Sequence, residues 1–416
     1  MFSLPPARLR LSTSMREYFK VMTGLASSGY AEGPDVAALE SELAERVKTT
    51  EAVAVPLART GLYLIFKHLI PKGRKIIMSP YTVSEVVNMA ICAGLEPVFA
   101  DIDTATCNIS PEAVDVMIDD DTGGVLVTHF YGLICEVERL GQICRERGIP
   151  MIEDAAQAFG AQIDGRPAGS FGDAAVFSFN LYKSLSSFLG GAIVTNNAAL
   201  AEKVRIELAG YPIMPKRNFL QSVVSGLITD LATHPLIYGL LTYRVLRFGF
   251  LKNVDAINNR VKNDIAPVRR QQMPSSYLKR TSNLQAKLIL PQLTEIEDRI
   301  IERINCARMY DAGLRDIEEI SIPPFRDDGS HCYWYYPIQF SNRTNLVAMV
   351  MKDGCDIGPS YHRNCADMSC FQEFNQTCPA AAFAADAVVY LPTYPGYPHA
   401  AVRRNIMAIR RYFGRA

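Results

Sequence analysis

The chain has 416 residues, 49% of them hydrophobic, which is enough for a large buried core and for about two to three domains. Its 43 basic and 43 acidic residues balance to a net charge of zero, and no basic stripe carries interleaved aromatic residues, which excludes a nucleic-acid-binding protein. The N-terminus has early prolines and no apolar segment of about seven or more residues, so we expect no signal peptide and a cytoplasmic protein.

The first half of the chain predicts alternating strands and helices. In chain order we predict helix 35–47, a helix from Thr60 to about 69, strand 74–78, helix 83–93, strand 96–100, helix 111–118, strand 124–128, helix 136–147 and strands 149–153, 174–178 and 192–195. Such alternation is typical of an α/β fold with a mainly parallel sheet and helices on both faces. Further on, a long helix is expected from about 284, and a strand at 333–340.

The ten cysteines predict neither disulfides nor a metal site. Several stand in largely apolar segments and resemble small buried hydrophobic residues: Cys92, Cys107, Cys144 and Cys306. The C-terminal group of Cys365, Cys370 and Cys378 contains no Cys-x-x-Cys pair and has no His-x-x-x-His companion. We therefore predict no metal.

An acid, a hydroxyl and a lysine follow one another in the order that pyridoxal phosphate requires. Strand 149–153 would deliver Asp154 at its carboxyl end, where open α/β sheets bind ligands. Lys183 would supply the primary amine that the cofactor aldehyde needs, and Asp154 would keep the pyridinium nitrogen protonated. Gln157 could reach the ring hydroxyl. Taken alone, an acid such as Asp154 at a strand end is more often a helix N-cap, and a loop lysine such as Lys183 is more often solvated.

The surrounding motifs resemble the nucleotide-sugar aminotransferases of the DegT/StrS group, which have the aspartate-aminotransferase fold. The resemblance spans roughly residues 25–210 and, more weakly, 275–415. It is carried by SG at 28–29, GP at 33–34, PVFADID at 97–103, HFYG at 129–132, GA at 160–161, GSFGDAAVFSF at 169–179 and GGAIVTN at 190–196.

The resemblance implies a pyridoxal-phosphate-dependent transferase of fold type I that works as a homodimer. The expected organisation is a large cofactor-binding domain over 1–210, an insert over 211–275 that is atypical of the family, and a linking helix with a small α+β domain over 276–416. Lys183 would be the Schiff-base lysine, Asp154 the pyridinium partner, Gln157 a ring-hydroxyl contact and Ser178 a phosphate ligand. A related subgroup of sugar dehydratases has histidine in place of this lysine, so Lys183 argues against that chemistry.

Three departures from the family pattern concern the cofactor contacts. The phosphate-binding Ser-Gly-Thr is replaced by Ala58-Arg59-Thr60, where Thr60 keeps its hydroxyl and Arg59 either adds a cation for the phosphate or is a surface arginine. An asparagine that the family supplies from the neighbouring subunit aligns with Leu278. The ring-stacking aromatic falls near Val83, with Tyr81 two residues earlier as a substitute or as an ordinary core tyrosine.

The insert at 211–275 is rich in apolar residues. Its longest charge-free run, 231–243, has 13 residues and is too short for the ~20 needed to span a bilayer. Three interpretations remain open: helices that pack on the dimer or the small domain, a mobile lid, or an interfacial helix. The last would place 218–252 at a membrane, with Arg244, Arg247 and Lys252 facing lipid headgroups.

The resemblance implies an aminotransferase that takes an amino group from glutamate or a similar donor and gives it to a keto sugar carried on a nucleotide. Substrate contacts are expected from His129, Tyr131, His362 and Arg280. Two alternatives stay open: transfer to a keto-cyclitol or another ketone without a nucleotide, and a non-catalytic regulatory protein that binds pyridoxal phosphate.

Overall fold

The computed structural model describes residues 4–11, 13–26, 28–258 and 266–415. The first half alternates strands and helices. Its elements in chain order are α1 Met15–Ala26, α2 Asp35–Val47, β1 Glu51–Val55, α3 Ala58–Leu69, β2 Lys75–Met78, β3 Tyr81–Thr82, α4 Ser84–Cys92, β4 Glu96–Phe99, α5 Pro111–Met117, β5 Thr122–Thr128, α6 Val137–Arg147, β6 Met151–Asp154, β7 Gln162–Ile163, β8 Arg166–Pro167, β9 Ala174–Ser178, β10 Gly191–Thr195 and α7 Ala198–Ala209.

The second half is mostly helical and carries a small sheet. Its elements are α8 Lys216–Thr233, the short α9 Pro235–Ile237, a π-helical turn Tyr238–Thr242, α10 Tyr243–Leu251, α11 Asp255–Asn258, α12 Asn283–Ile289, α13 Ile296–Leu314, β11 Tyr336–Gln339, α14 Arg343–Lys352, β12 Gly358–Pro359, β13 Arg363–Asn364, α15 Pro379–Ala387, β14 Val388–Leu391 and α16 His399–Tyr412.

Seven strands form the central sheet in the order β1-β10-β9-β6-β5-β2-β4. The strands β9, β6, β5, β2 and β4 run parallel, whereas β10 is antiparallel to both of its neighbours. One face packs against α3, α4 and α7, and the other against α2, α6 and α12. The predicted α/β architecture is confirmed. Because both faces are buried, the strands are almost continuously apolar, as parallel sheets require.

The alternation of side chains along β6 separates two adjacent acids. Ile152 belongs to the core on the α3 side of the sheet and Met151 to the core on the opposite side. Successive side chains of a strand point to opposite faces, so Asp154 shares the α3 side with Ile152, and Glu153 the other side with Met151. The sheet therefore presents Asp154, at the end of β6, toward the N-terminus of α3.

The C-terminal part has its own core around the antiparallel sheet β11-β14-β12. Two remote segments join that core: Ala7 near the N-terminus, and Tyr238 and Tyr243 between α8 and α10. The short pairing of β13 with β3 ties the C-terminal part to the large one, since Asn364 lies opposite Tyr81. This pairing brings side chains of both parts to one place.

Two elements differ from the sequence prediction for local reasons. The helix expected to run on from 284 is broken, because Pro291 lies two residues after Ile289, the last residue of α12. The chain then takes a 3-10 turn over Leu290–Glu295 before α13 begins. The strand expected at 333–340 covers only Tyr336–Gln339, and Tyr333 has a positive φ of 45° that no strand residue adopts. Strand β1 was not predicted, since a short Ala/Val run has no distinctive period.

Candidate active site

Lys183 lies in the loop between β9 and β10 with its amine partly buried. Its Nζ is 4.4 Å from the centroid of the Trp334 ring. Burial lowers the pKa of Lys183 to about 8; the Asp154 carboxylate opposes this shift and the Arg59 guanidinium adds to it. A lysine with so low a pKa is neutral in a substantial fraction of molecules near neutral pH. Its amine can therefore act as a nucleophile.

Asp154 ends β6 and is only 7% exposed. Burial raises its carboxyl pKa, while the Ala156 N–H, which donates to Oδ1 at 3.1 Å, and the charge of Lys183 hold it down. The backbone is anchored as well, because the His129 N–H donates to the Asp154 carbonyl at 3.1 Å. A buried carboxylate is thus aimed from the carboxyl edge of the sheet into the neighbourhood of a lysine.

Glu153 fixes the loop beneath this edge. Its carboxylate accepts the N–H groups of Gly169, Phe171 and Gly172 at 2.6–2.8 Å and lies 2.9 Å from His129 Nε2. His129 Nδ1 accepts the Cys135 N–H at 3.2 Å, so the ring proton sits on Nε2 and is donated to Glu153. Neither ring nitrogen of the fully buried His129 is free for substrate while these bonds hold. Its predicted substrate contact stays a prediction.

The N-terminus of α3 forms an anion-binding cradle, because no side chain caps it at Leu57 and its first N–H groups are available to a ligand. The sheet register brings the carboxyl end of β9 to the same point, with Ser178 opposite Gly191. A Cβ at Gly191 would lie 2.8 Å from the Ala58 nitrogen, so only glycine allows this approach. Ser178 and the start of α3 are therefore neighbours, as the resemblance implies.

Two residues at the start of α3, the atypical Arg59 and the retained Thr60, both contact Tyr277. Thr60 Oγ1 donates to the Tyr277 carbonyl at 3.0 Å, and Arg59 Nη1 donates to the Tyr277 hydroxyl at 2.9 Å. Arg59 also lies 3.7 Å from Glu85, which the Tyr277 hydroxyl and Arg270 reach as well. The segment before Leu278 thus closes over the cradle of its own chain.

Arg280 does not join this group. Its Nε donates to the Tyr211 carbonyl at 3.0 Å, and its backbone pairs with Pro212 and Met214. These bonds hold Arg280 beside residues 211–214. Its predicted substrate contact stays a prediction without support from this arrangement.

Tyr131, Gln157 and Tyr81 form one buried group. The Tyr131 N–H donates to Gln157 Oε1 at 2.8 Å, and the hydroxyls of Tyr131 and Tyr81 are hydrogen-bonded at 2.7 Å. Tyr131 adopts a positive φ of 56°, a strained conformation of the kind that clusters at functional sites. Whether Gln157 contacts the ring hydroxyl and whether Tyr81 stacks on a ring stay predictions.

The C-terminal part extends this group into a chain of hydroxyls. Ser360 Oγ lies 2.9 Å from the Tyr81 hydroxyl and 2.8 Å from that of Tyr390, and the Tyr390 hydroxyl lies 2.6 Å from His362 Nδ1. Burial and, to a smaller extent, the charge of Lys183 lower the pKa of His362 to about 3. His362 is therefore neutral and close enough to Lys183 to sense its charge, where the sequence predicted a substrate residue.

Three residues of this site were missed from the sequence: Trp334, Ser360 and Tyr390. Trp334 is the only tryptophan of the chain and donates its indole N–H to the Tyr182 carbonyl at 3.0 Å, next to Lys183. Ser360 stands two residues before His362, and this spacing was the available clue to it. Tyr390 lies in the apolar strand β14 and carries no local signal.

The arrangement fits pyridoxal phosphate. It offers a nucleophilic lysine, a buried carboxylate at the sheet edge and an uncapped helix N-terminus beside Ser178. Among the described residues, no group of three or more His, Cys, Asp or Glu side chains could hold a metal ion. Fold and site together define a pyridoxal-phosphate-dependent transferase of fold type I.

The chain matches the model of the DegT/DnrJ/EryC1/StrS aminotransferase family over residues 14–233 and 244–410. It belongs to this family and is a pyridoxal-phosphate-dependent aminotransferase. The residues between the two matched ranges, 234–243, contain the π-helical turn after α8.

Relatives and solved structures agree with this family. The spore coat polysaccharide biosynthesis protein SpsC of Bacillus subtilis is 29% identical over 355 residues, covering 83% of this chain and 80% of SpsC. The GDP-perosamine synthase of Vibrio cholerae is 33% identical over 187 residues, covering 44% of this chain and 51% of the synthase.

Two solved structures share the fold across almost the whole chain. Helicobacter pylori PseC, an aminotransferase involved in the biosynthesis of pseudoaminic acid, superposes with a TM-score of 0.77 at 18% identity and covers 99% of both chains. An Escherichia coli GDP-4-keto-6-deoxy-D-mannose-3-dehydratase with bound hydrated pyridoxal phosphate gives a TM-score of 0.76 at 17% identity, covering 98% of this chain and all of the other.

Proposed function

We propose that this aminotransferase moves an amino group from glutamate, or a similar amino acid, to a keto sugar carried on a nucleotide. The product would be an amino sugar for a surface polysaccharide or a natural product. The observation that carries the proposal is the arrangement of Lys183 in the loop after β9, the buried Asp154 at the end of β6 and the uncapped N-terminus of α3 next to Ser178. The name of one relative, GDP-perosamine synthase, supports a nucleotide-linked sugar, and that of another, a spore coat polysaccharide biosynthesis protein, supports a role in making a surface polysaccharide.

Pyridoxal phosphate, when bound, supplies an electron sink for the negative charge left when a proton leaves the donor carbon. Lys183 would anchor the cofactor and, once displaced by the donor amine, would carry the proton, since an amine with a pKa of about 8 both accepts and releases protons near neutral pH. Asp154 would hold a proton on the ring nitrogen, because a nearby carboxylate favours the charged form of that nitrogen.

The cradle at the start of α3 would orient the cofactor through its phosphate, and the chain of hydroxyls would orient the sugar. Ser178 and the first N–H groups of α3 would bind the phosphate, with Arg59 as an additional cation, and Thr60 would join them once its hydroxyl leaves the Tyr277 carbonyl. Tyr131 and the neutral His362 would meet the sugar, since hydroxyls and a neutral imidazole both donate and accept hydrogen bonds.

The assembly and location are part of the same proposal. Sites of this fold are built at a dimer interface in the family, so we infer a homodimer. We also infer that the enzyme works in the cytoplasm, where amino-acid donors are available. The cradle of this chain is closed by its own Tyr277, and the sizing of the holoenzyme tests whether it dimerises all the same.

The test separates the two half-reactions. Glutamate added to the holoenzyme without acceptor should bleach the visible absorbance and raise the near-ultraviolet band of pyridoxamine phosphate. Nucleotide-linked keto sugars should then restore the visible band, and free keto sugars and keto-cyclitols should not.

Other outcomes have distinct meanings. Restoration by a keto-cyclitol alone would replace the nucleotide-sugar acceptor with the alternative class. A visible band that survives every amino-acid donor would contradict the transaminase and favour a non-catalytic, cofactor-binding role.

A further inference from the structure

The insert carries an unusual amount of exposed apolar surface. Eleven of the 23 exposed large hydrophobic side chains in the described part of the chain lie within residues 216–251. They form what we call the apolar surface: Leu220, Val224, Leu227, Ile228, Leu231, Leu236, Ile237, Leu240, Leu241, Val245 and Phe248. Such clustering marks an interaction site rather than the single exposed apolar residues found on every protein.

The spacing shows that these side chains form stripes distinct from the faces that hold the insert in place. On α8 the exposed positions 220, 224, 227, 228 and 231 follow a helical period, whereas Phe219, Val223 and Gly226 are buried. We call α8 the first arm of the insert and Pro235–Leu251 the second arm. In the second arm, the exposed positions 237, 241, 245 and 248 repeat the pattern, while Tyr238 and Tyr243 are buried in the C-terminal core. Each arm therefore has one apolar face for the fold and a second one left outside.

The insert is firmly attached, so the second face is not the result of a loose segment. Tyr243 donates its hydroxyl to the Met351 carbonyl at 2.6 Å, and Asp230 of α8 accepts the hydroxyls of Thr13 and Tyr18 at 2.6 and 2.5 Å. Packing on the small domain, one of the interpretations left open by the sequence, is seen for Tyr238 and Tyr243, whereas Phe219 and Val223 of α8 pack against Tyr18, Phe188 and Leu284. The outer face needs a separate explanation.

Charge indicates the occupant. Residues 216–252 carry five basic side chains and the single acid Asp230, in a chain whose total charge is zero. The basic side chains are Lys216, Arg217, Arg244, Arg247 and Lys252. A second copy of this chain bound through the same face would bring like charges together, whereas an anionic lipid surface meets both the apolar and the basic groups.

Among the described helices, the lengths of the two arms do not support a single membrane-spanning helix. No single helix is long and apolar enough to cross a membrane; only Lys216–Thr233 together with Pro235–Leu251 passes that test, and this pair is bent by 59°. Two amphipathic arms with buried inner faces are suited to lie on a bilayer rather than to span it. We propose that the outer face of residues 216–251 docks the enzyme on an anionic membrane surface. This inference does not depend on the identity of the sugar.

The test is flotation of the full-length holoenzyme with vesicles of phosphatidylcholine and phosphatidylserine, compared with phosphatidylcholine alone. We expect the enzyme to float with the anionic vesicles. The Ile228→Glu/Leu241→Glu variant, at positions 61% and 63% exposed, should lower the vesicle-bound to free ratio at least about tenfold. The matched control Val116→Glu/Ile301→Glu alters apolar residues that are 82% and 55% exposed elsewhere and should bind as the wild type does.

A charge variant, Arg217→Gln/Arg244→Gln, leaves the apolar face intact and should weaken binding to the anionic vesicles only. The visible absorbance of bound cofactor reports that each variant is folded. A wild type that fails to float, or a control pair that loses binding as much as the test pair, overturns the proposal. So does an apolar variant that lowers the particle mass while the wild type stays off the vesicles, because the face would then join two copies.

Discussion

Lys183 is tuned by groups that different parts of the chain supply. Burial and Arg59 lower the pKa of its amine, and Asp154 raises it, with a net value of about 8. Arg59 comes from the helix after β1 and Asp154 from the end of β6. The arginine that departs from the family's cradle sequence therefore lowers the pKa of the lysine, in addition to the phosphate contact that we propose for it.

This balance predicts the pH dependence of cofactor capture. The rate at which the cofactor-free protein gains visible absorbance on adding pyridoxal phosphate should rise with pH through an apparent pKa near 8, because only the neutral amine reacts. Arg59→Gln removes a like charge and should shift that pKa upward. Stopped-flow absorbance over a pH series measures it, with the exposed Arg139→Gln as control. A transition near ~10.4, the value of a solvated lysine, would contradict the account.

Tyr390 links Ser360 to His362 and so connects the C-terminal part to the lysine side of the site. Tyr390→Phe removes only the hydroxyl, and a lost hydrogen bond in a buried network costs ~1–3 kcal/mol, so kcat/KM for the keto acceptor should fall about 10- to 100-fold. The amino-donor half-reaction should change less. Steady-state and half-reaction kinetics decide this, and equal losses in both would show a structural role instead. Tyr412→Phe, on the C-terminal helix, is the control.

Some residues of the site are marked by a short sequence motif, whereas others reach the site only through contacts between distant parts of the chain. Asp154 and Lys183 could be predicted because strand-end position and motif spacing are written into short stretches of chain. Trp334, Ser360 and Tyr390 could not, since their function depends on β13 pairing with β3 and on the packing of one domain against the other. For Arg280 the structure gives the Tyr211 carbonyl as the partner of its Nε, and the predicted substrate contact stays a prediction.

At the scale of elements, the contact between β10 and α3 shapes the cradle. A Cβ at Gly191 would lie 2.6 Å from the Phe177 carbonyl and 2.8 Å from the Ala58 nitrogen, both backbone atoms that cannot rotate away. Gly191→Ala should therefore displace the start of α3, weaken binding of pyridoxal phosphate and destabilise the fold by about 1–3 kcal/mol. Titration of cofactor absorbance and urea denaturation measure the two effects.

The control for this change is Gly141→Ala in α6. There the atom nearest to the added Cβ is at the flexible end of Arg145, 3.1 Å away, and alanine is favoured over glycine in a helix interior by ~0.5–1 kcal/mol. We expect unchanged or slightly higher stability and normal cofactor binding. A Gly191→Ala protein that behaves like Gly141→Ala would contradict the close approach of β10 to α3.

The elements themselves were largely predictable, because buried parallel strands and amphipathic helices leave clear periods. The predicted boundaries were wrong where a single residue interrupts the apolar period, as Pro291 does after α12, where it prevents the helix from continuing. The short β1 failed for the opposite reason: its place next to β10 comes from long-range pairing, which a run of five residues does not encode.

At the scale of the whole molecule, Asp356 joins three remote segments. Its buried carboxylate accepts the Arg8 N–H at 2.7 Å and the Tyr238 hydroxyl, and the Arg8 Nη1 lies 3.7 Å from it. The N-terminal segment and the insert are thereby fastened to the small domain. No local pattern predicts such a junction, which is why the sequence left three interpretations of the insert open.

Asp356→Ala should leave the Tyr238 hydroxyl and Arg8 without their partner and destabilise the protein by about 3 kcal/mol. Because Tyr238 anchors the second arm of the insert to the small domain, proteolysis within 234–252 should accelerate at the same time. Thermal unfolding and limited proteolysis test both effects, with Asp353→Ala, a partly exposed partner of Arg411, as control. Equal behaviour of the two variants would show that the junction does not hold the insert.

The central claim is that Lys183 holds pyridoxal phosphate. Borohydride reduction of the holoenzyme makes the lysine–cofactor bond permanent, and mass spectrometry of the peptides then identifies the modified residue. The account predicts modification at Lys183 alone, and its loss, together with the visible band, in Lys183→Ala. Modification of another lysine in the wild type, or an unchanged visible band in Lys183→Ala, would contradict it.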